Sequence, residues 1–238
     1  MAKILVIGGG AMGSAFTIPC LDNKNNVTIT EPYSKQFINN LKSKNKFHSV
    51  LKIKLPKKLK FRIFSKELLK EKFNLIVIAL SLPGINFISK ELKNIKNKTP
   101  ILILTKGLKY DKKRNKILTI SEQIKISTKN KNISVLKGPC LAKELAKKNQ
   151  TKVIIANKNI NIAKKIGKLI STNYYLVEYS TDIIGVEVCS AIKNIYAMVI
   201  GAGQSLNMSS SLFQKSLIEM KYLTKYFNGK DTTVESLA

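Results

Sequence analysis

Lys3-Ile4-Leu5-Val6-Ile7-Gly8-Gly9-Gly10-Ala11-Met12-Gly13-Ser14 lies at the start of the sequence and decides its fold class. Ile4–Ile7 is an unbroken apolar run of strand length, the pattern of a strand buried on both faces. Gly8 to Gly13 satisfies G-x-G-x-x-G, and Ser14–Leu21 continues with helical spacing. Strand, glycine turn and helix in that order are the context a dinucleotide-binding turn requires. Gly8 permits the tight turn, Gly10 lets the backbone approach a pyrophosphate, and Gly13 lets the helix pack close to the strand. The pyrophosphate would rest on the helix N-terminus, where unpaired N–H groups and the helix dipole favour anions.

The same alternation continues outward from this turn. Val27–Thr30, Asn74–Leu80, Pro100–Leu104, Ser134–Leu136 and Val153–Ala156 read as strands, with helical patterns at Ser34–Lys42, Ile85–Leu92 and Leu141–Lys148. Strands alternating with helices predict an α/β protein with an N-terminal Rossmann-type, doubly wound parallel sheet. After about Tyr179 the apolar residues follow helical periodicity, broken only at Gly201–Gly203, which predicts a second, all-helical domain. The expected division is 1–179 for the dinucleotide-binding domain and 180–238 for a partial helical domain. Lys44–Lys60 is lysine-rich and irregular, and is expected to be a solvated surface segment. Asp231–Ala238 reads as a helix cut short.

Glu31 ends the second predicted strand, 18 residues after Gly13. A carboxylate there accepts hydrogen bonds from ribose hydroxyls and repels a 2′-phosphate, which favours NAD over NADP; Lys35 nearby pulls the other way.

The composition excludes several classes. Of 238 residues, 44% are hydrophobic and 24% charged, enough apolar material for a core. No run reaches the roughly 18 uninterrupted apolar residues of a membrane span. Cys20, Cys140 and Cys189 are an odd, widely spaced set, against a disulfide scaffold or cysteine zinc site and in favour of a reducing, cytoplasmic setting. The formal net charge is +28, yet Arg62 and Arg114 are the only arginines among 42 basic residues. Arginine is the residue favoured for phosphate and base recognition. Lys, Asn and Ile share A/T-rich codons, so compositional bias accounts for the charge as well as a polyanion partner does, and no specific nucleic acid is expected. A positive field would in either case attract anionic substrates.

Further motifs follow in order: Thr105-Lys106-Gly107, Gly138-Pro139-Cys140-Leu141-Ala142-Lys143-Glu144, Gly185-Val186-Glu187 and Ala191-Ile192-Lys193-Asn194. Together with the N-terminal glycines they resemble the bacterial NAD(P)-dependent glycerol-3-phosphate dehydrogenases, over essentially the whole chain. The resemblance implies reduction of dihydroxyacetone phosphate to sn-glycerol 3-phosphate for phospholipid synthesis, with NAD or NADP as cofactor and a homodimer as one possible assembly. It implies Lys193 as general acid/base, Asn194 as a hydrogen-bonding partner of the substrate, and Lys106 as a contact to both cofactor and substrate. Gly138 and Cys140 fall on substrate-contacting positions and Ala142 on a cofactor-contacting one. The implied cofactor set is Gly8, Gly10, Met12, Gly13, Ser14, Glu31, Lys106 and Ala142.

Departures from the family pattern are also visible. Cys140 stands where the family usually has Ser, a weaker hydrogen-bonding group at similar size. Met12 replaces an aromatic residue, Thr30-Glu31-Pro32 lacks an arginine, and Asn207-Met208-Ser209 replaces a segment that usually reads Asn-Thr-Lys. Family chains continue past Leu237-Ala238 into segments that carry an Asp and a phosphate-gripping Arg, so the chain is expected to be truncated within its helical domain. That leaves open an NAD-binding homologue without turnover, another two-domain reductase such as a ketopantoate or hydroxyacid reductase, and a lysine-based polyanion binder.

Overall fold

The computed structural model describes residues 1–43, 45–93, 99–128 and 130–237. The elements run β1 (Lys3–Ile7), α1 (Ala11–Asp22), β2 (Asn26–Thr30), α2 (Lys35–Ser43), β3 (Phe47–His48), β4 (Ile53–Lys54), β5 (Lys60–Phe61), α3 (Lys66–Lys70) and β6 (Leu75–Ile78). They continue through α4 (Gly84–Lys93), β7 (Ile101–Ile103), β8 (Leu108–Asp111), β9 (Lys116–Thr119), α5 (Ile120–Thr128), β10 (Ile133–Lys137), α6 (Ala142–Ala146), β11 (Thr151–Ala156), α7 (Ile160–Ile170) and β12 (Tyr175–Ser180). Three helices close the chain: α8 (Ile183–Gly201), α9 (Leu206–Tyr226) and α10 (Thr232–Leu237).

Eight strands form one sheet in the order β12-β11-β10-β7-β6-β1-β2-β5. Every neighbouring pair is parallel except β10 with β11. The alternation of side chains along each strand splits the core into two layers. Ile4, Val6, Leu75, Val77 and Leu102 pack with Ala15 and Phe16 of α1 and Ile166 of α7. Leu5, Ile7, Ile76, Ile78, Ile101 and Ile103 face the other way, onto Ile85 and Ile88 of α4, Ile124 of α5 and Val186, Cys189 and Ile192 of α8. Burial on both faces is why these strands read as unbroken apolar runs.

The expectation for Lys44–Lys60 needs correcting; Lys44 itself lies outside the described residues. Leu51, Leu55 and Leu59 are in the core and His48 is almost fully buried. Among these lysines every fourth residue is leucine, and those leucines turn inward while the lysine stems stay in water. The hairpin β8–β9, helix α7 and strand β12 also exist without having been expected.

The helical part is tied to the sheet at its start. Asp182 caps α8 by accepting from the Gly185 N–H at 2.9 Å, and its other oxygen accepts from Lys230 N–H and Thr233 Oγ1 at 2.8 and 2.6 Å. One carboxylate thus joins α8 to α10, nearly 50 residues later. Helix α8 is long and apolar enough, by length and composition alone, to cross a membrane. Here its first half, Gly185 to Ser190, is buried against the sheet instead.

Candidate active site

Because β1, β6, β7 and β10 are parallel, their carboxyl ends fall on one edge of the sheet. That edge collects Gly8–Gly13, Glu31, Thr105–Gly107 and Gly138–Cys140, in the region where open α/β sheets bind ligands.

The glycine turn has the geometry its sequence implies. Gly8 has φ +118°, and a Cβ there would lie 2.4 Å from the Ala79 carbonyl oxygen. A Cβ on Gly13 would lie 2.0 Å from the Gly8 carbonyl oxygen, so helix and turn touch backbone to backbone. Gly10 differs: nothing lies within 4 Å of its would-be Cβ. It opens α1 as an N-cap without a side-chain cap and with no acidic residue in the first turn. The first amide bonded back into the helix is that of Ser14, to Gly10 O at 2.9 Å. The amides before it face the open side of Gly10, an unscreened anion site that fits a pyrophosphate. Met12 lies half-buried against the core beneath this opening.

Glu31 is bound into the turn. One carboxylate oxygen accepts from Gly9 N–H at 2.8 Å and the other from Tyr33 N–H at 3.1 Å. A carboxylate has about four acceptor positions, so two backbone bonds leave capacity for ribose hydroxyls. The Gly9 carbonyl accepts from Ser14 Oγ at 2.8 Å and meets His48 Nε2 at 3.2 Å. His48 Nδ1 accepts from Leu51 N–H at 3.3 Å. With Nδ1 accepting, Nε2 carries the proton and donates to Gly9. Sequence reasoning missed this support: a single His in a lysine-rich segment carries no spacing signal. Ser14 likewise serves the turn's own backbone.

Across the edge, the Thr105 hydroxyl donates to Leu80 O at 2.7 Å and fixes the end of β7, leaving Lys106 exposed beside it. Gly138 has φ +149° and abuts the Lys152 carbonyl, so the turn that carries Cys140 lies tightly against β11. Cys140 is half-buried; burial pushes its thiol up to about 11, against the pull of the Lys106 charge. Tyr175, fully buried on β12, faces Cys140 from below; no motif marked it, because a core tyrosine in a strand looks like packing. Ala142 opens α6, half-buried against the same core layer as α1.

Lys193 lies on α8, half-buried, with its ammonium donating to Leu237 O at 2.8 Å. Burial, and secondarily the positive charge of Lys106, hold its pKa below the ordinary lysine value. Lys106 therefore acts electrostatically on both Cys140 and Lys193, which joins residues from three separate motifs in one group. Asn194, one residue further, is exposed on α8. No group of three or more His, Cys, Asp or Glu suited to a metal exists among the described residues. A concavity of about 1220 Å³ ringed by Lys24, Lys46, Lys57, Lys58, Lys60 and Lys168 lies at the opposite, amino edge of the sheet, away from this chemistry.

A doubly wound sheet with an uncapped glycine turn and a carboxylate at the end of β2 defines a dinucleotide-binding protein of the Rossmann type. Comparison with known proteins narrows this. The family described as NAD-dependent glycerol-3-phosphate dehydrogenase N-terminus matches residues 3–163, and its C-terminus counterpart matches residues 182–238. The chain belongs to the NAD-dependent glycerol-3-phosphate dehydrogenase family. It is 29% identical over 243 residues to a glycerol-3-phosphate dehydrogenase [NAD(P)+] of Clostridium botulinum, covering 100% of this chain and 72% of that protein. It is 29% identical over 250 residues to an NADP(+)-dependent glycerol-3-phosphate dehydrogenase of Archaeoglobus fulgidus, covering 99% and 73%. The crystal structure of glycerol-3-phosphate dehydrogenase from Coxiella burnetii superposes with TM-score 0.86 at 25% identity, over 98% of this chain and 72% of that one.

Proposed function

We propose that the protein is a glycerol-3-phosphate dehydrogenase that reduces dihydroxyacetone phosphate to sn-glycerol 3-phosphate with NADH or NADPH, supplying the backbone of phospholipids. The observation that supports this is that Lys106 and Lys193, from two distant segments, come close enough for the charge of one to act on the other.

Bound NADH or NADPH supplies the hydride. Gly8, Gly10, Gly13 and the first turn of α1 hold the pyrophosphate, with Met12 and Ser14 supporting the turn from the core side, and Glu31 takes the ribose hydroxyls. Ala142 borders the cofactor from α6. As hydride reaches the substrate carbonyl, negative charge gathers on its oxygen, and the Lys193 ammonium stabilises that charge and gives up a proton to it. One of its three protons is held by Leu237 O, which orients the other two. Its lowered pKa makes the ammonium a stronger acid than a surface lysine. Lys106 contacts cofactor and substrate and adds positive charge where the phosphorylated substrate enters. Gly138 and Cys140 border the substrate, and Asn194 supplies a hydrogen bond once substrate is present.

In this reading the dinucleotide part extends through residue 179 and the helical substrate part begins at residue 180. The free thiols Cys20, Cys140 and Cys189 suit a reducing cytoplasm. Glu31 without a neighbouring arginine favours NADH. The test is consumption of NADH and, in parallel, NADPH with dihydroxyacetone phosphate. Turnover faster with NADH is expected; binding of both nucleotides without turnover would leave the cofactor reading standing and remove the dehydrogenase.

A further inference from the structure

Lys137 is the last residue of β10, immediately before Gly138-Pro139-Cys140, and only 2% of it is exposed. Fully buried lysines are rare unless paired. This one donates to the carbonyl oxygens of Leu104, at 3.3 Å, and Thr105, the two residues between β7 and Lys106. Without a direct ion pair among the described residues, the carboxylate charge that acts on it is that of Glu187 of α8, also 2% exposed. Glu187 is anchored on the sheet side, accepting from Ser121 N–H of α5 at 3.1 Å and from the Ser121 hydroxyl. Glu187 precedes Lys193 by six residues, less than two turns of the same helix. Two segments thus meet at one ammonium, the stretch before Lys106 and the strand end before Cys140, and the Glu187 carboxylate adds its charge from the helix bearing Lys193.

We propose that Lys137 is a positioning residue for the reduction, its buried ammonium joining the strand end that carries Lys106 to the helix that carries Lys193. This rests on the dehydrogenase reading above. Two mobile lysines would have to find one geometry at each turnover, and misplacement by about 1 Å can cost about a hundredfold in rate. The charged groups acting on Lys137, among the described residues, are Glu187 from α8 and Lys106 from the loop after β7. Burial pushes its pKa down to about 8, Glu187 opposes that shift and Lys106 adds to it. Loss of the Lys137 proton leaves the Glu187 carboxylate without its counter-charge, so the junction loosens as pH rises through that value.

The test compares Lys137→Met, Glu187→Gln and the double variant with the wild-type chain. Lys137→Met leaves two buried carbonyls without a donor and one carboxylate uncompensated, a destabilising combination. The double variant removes the uncompensated charge, so its melting temperature is expected to recover while the carbonyls stay unserved. Expected in both Lys137 variants is a loss of about tenfold or more in kcat/KM for dihydroxyacetone phosphate, with NADH Kd within about twofold of wild type. Hydrogen exchange should rise at residues 106–108 and 187–193, not at 8–14. Glu187→Gln alone should move the alkaline limb of kcat/KM to lower pH, which a limb belonging to Lys193 would not do. The proposal is overturned if the double variant keeps wild-type kcat/KM and wild-type exchange at 106–108, or if exchange and NADH affinity deteriorate evenly everywhere. If wild type itself fails to turn over, the dehydrogenase reading falls, and the exchange pattern still decides the role of Lys137.

Discussion

The strands of the sheet and the second half of α8 are both apolar, but they are buried very differently. Ile4, Leu5, Val6 and Ile7 have no exposed surface, because helices cover both faces of the sheet. On α8 burial stops near Ile192; beyond it Ile195 and Met198 are 55% and 69% exposed, and on α9 Ile218 and Tyr222 are 68% and 72% exposed. Lys193 lies where this helix passes from one condition to the other. The difference teaches that the sheet is covered on both faces, on one of them by the first half of α8, while the rest of the helical part leaves apolar side chains exposed and places its ammonium at the boundary. That boundary is where a lysine can be partly desolvated, and so made more acidic, without being sealed from a substrate.

Changes in the closed half should have the largest effects. Gly13→Val places a side chain where even a Cβ would lie 2.0 Å from the Gly8 carbonyl. NADH binding measured by fluorescence titration should be lost, and the melting temperature should fall. Binding retained within about threefold would mean that α1 does not pack on the turn as described. Glu31→Ala should weaken NADH by about tenfold, from lost ribose bonds and an unserved Gly9 amide, while weakening NADPH less. Equal loss for the two nucleotides would remove Glu31 from cofactor choice.

At the boundary, pH is the probe. With Lys193 as the proposed proton donor, the rate of reduction should fall as pH rises through a pKa that lies below the ordinary lysine value. Oxidation of glycerol 3-phosphate needs the neutral amine, so the ratio of oxidation to reduction should rise over the same range, whatever loosening at Lys137 does to both rates alike. Parallel profiles in the two directions would break the acid/base assignment. Among the exposed apolar residues, Ile218→Glu should change stability by no more than about 0.5 kcal/mol, yet reduce self-association in sedimentation experiments, because exposed apolar side chains invite contact. A stability loss of several kcal/mol would show that the side chain is packed.

Legibility in the sequence followed the same division. Lys3–Ile7, the glycine turn, Asn74–Leu80 and Pro100–Leu104 were readable because a doubly buried strand leaves an unbroken apolar run and a glycine turn leaves fixed spacings. The antiparallel seating of β11 was not, since strand direction leaves no trace in a six-residue run. Strand β12 was hidden because Glu178 and its half-exposed neighbours blur the pattern at a sheet edge. His48 and the leucines of Lys44–Lys60 were masked by lysines whose charges decide composition and not burial. At the site, Lys106, Cys140 and Lys193 came from motifs, and the structure adds what motifs omit: Leu237 O against Lys193, Tyr175 beneath Cys140, and His48 behind Gly9.

The most direct test of the central claim is Lys193→Ala assayed with dihydroxyacetone phosphate and NADH, with NADH Kd measured on the same sample. If Lys193 is the proton donor at the boundary of the two halves, wild type turns over, the variant loses about 10²–10⁴ in kcat, and NADH affinity stays within about twofold. A variant that turns over at the wild-type rate, or that loses NADH binding in step with activity, would contradict it.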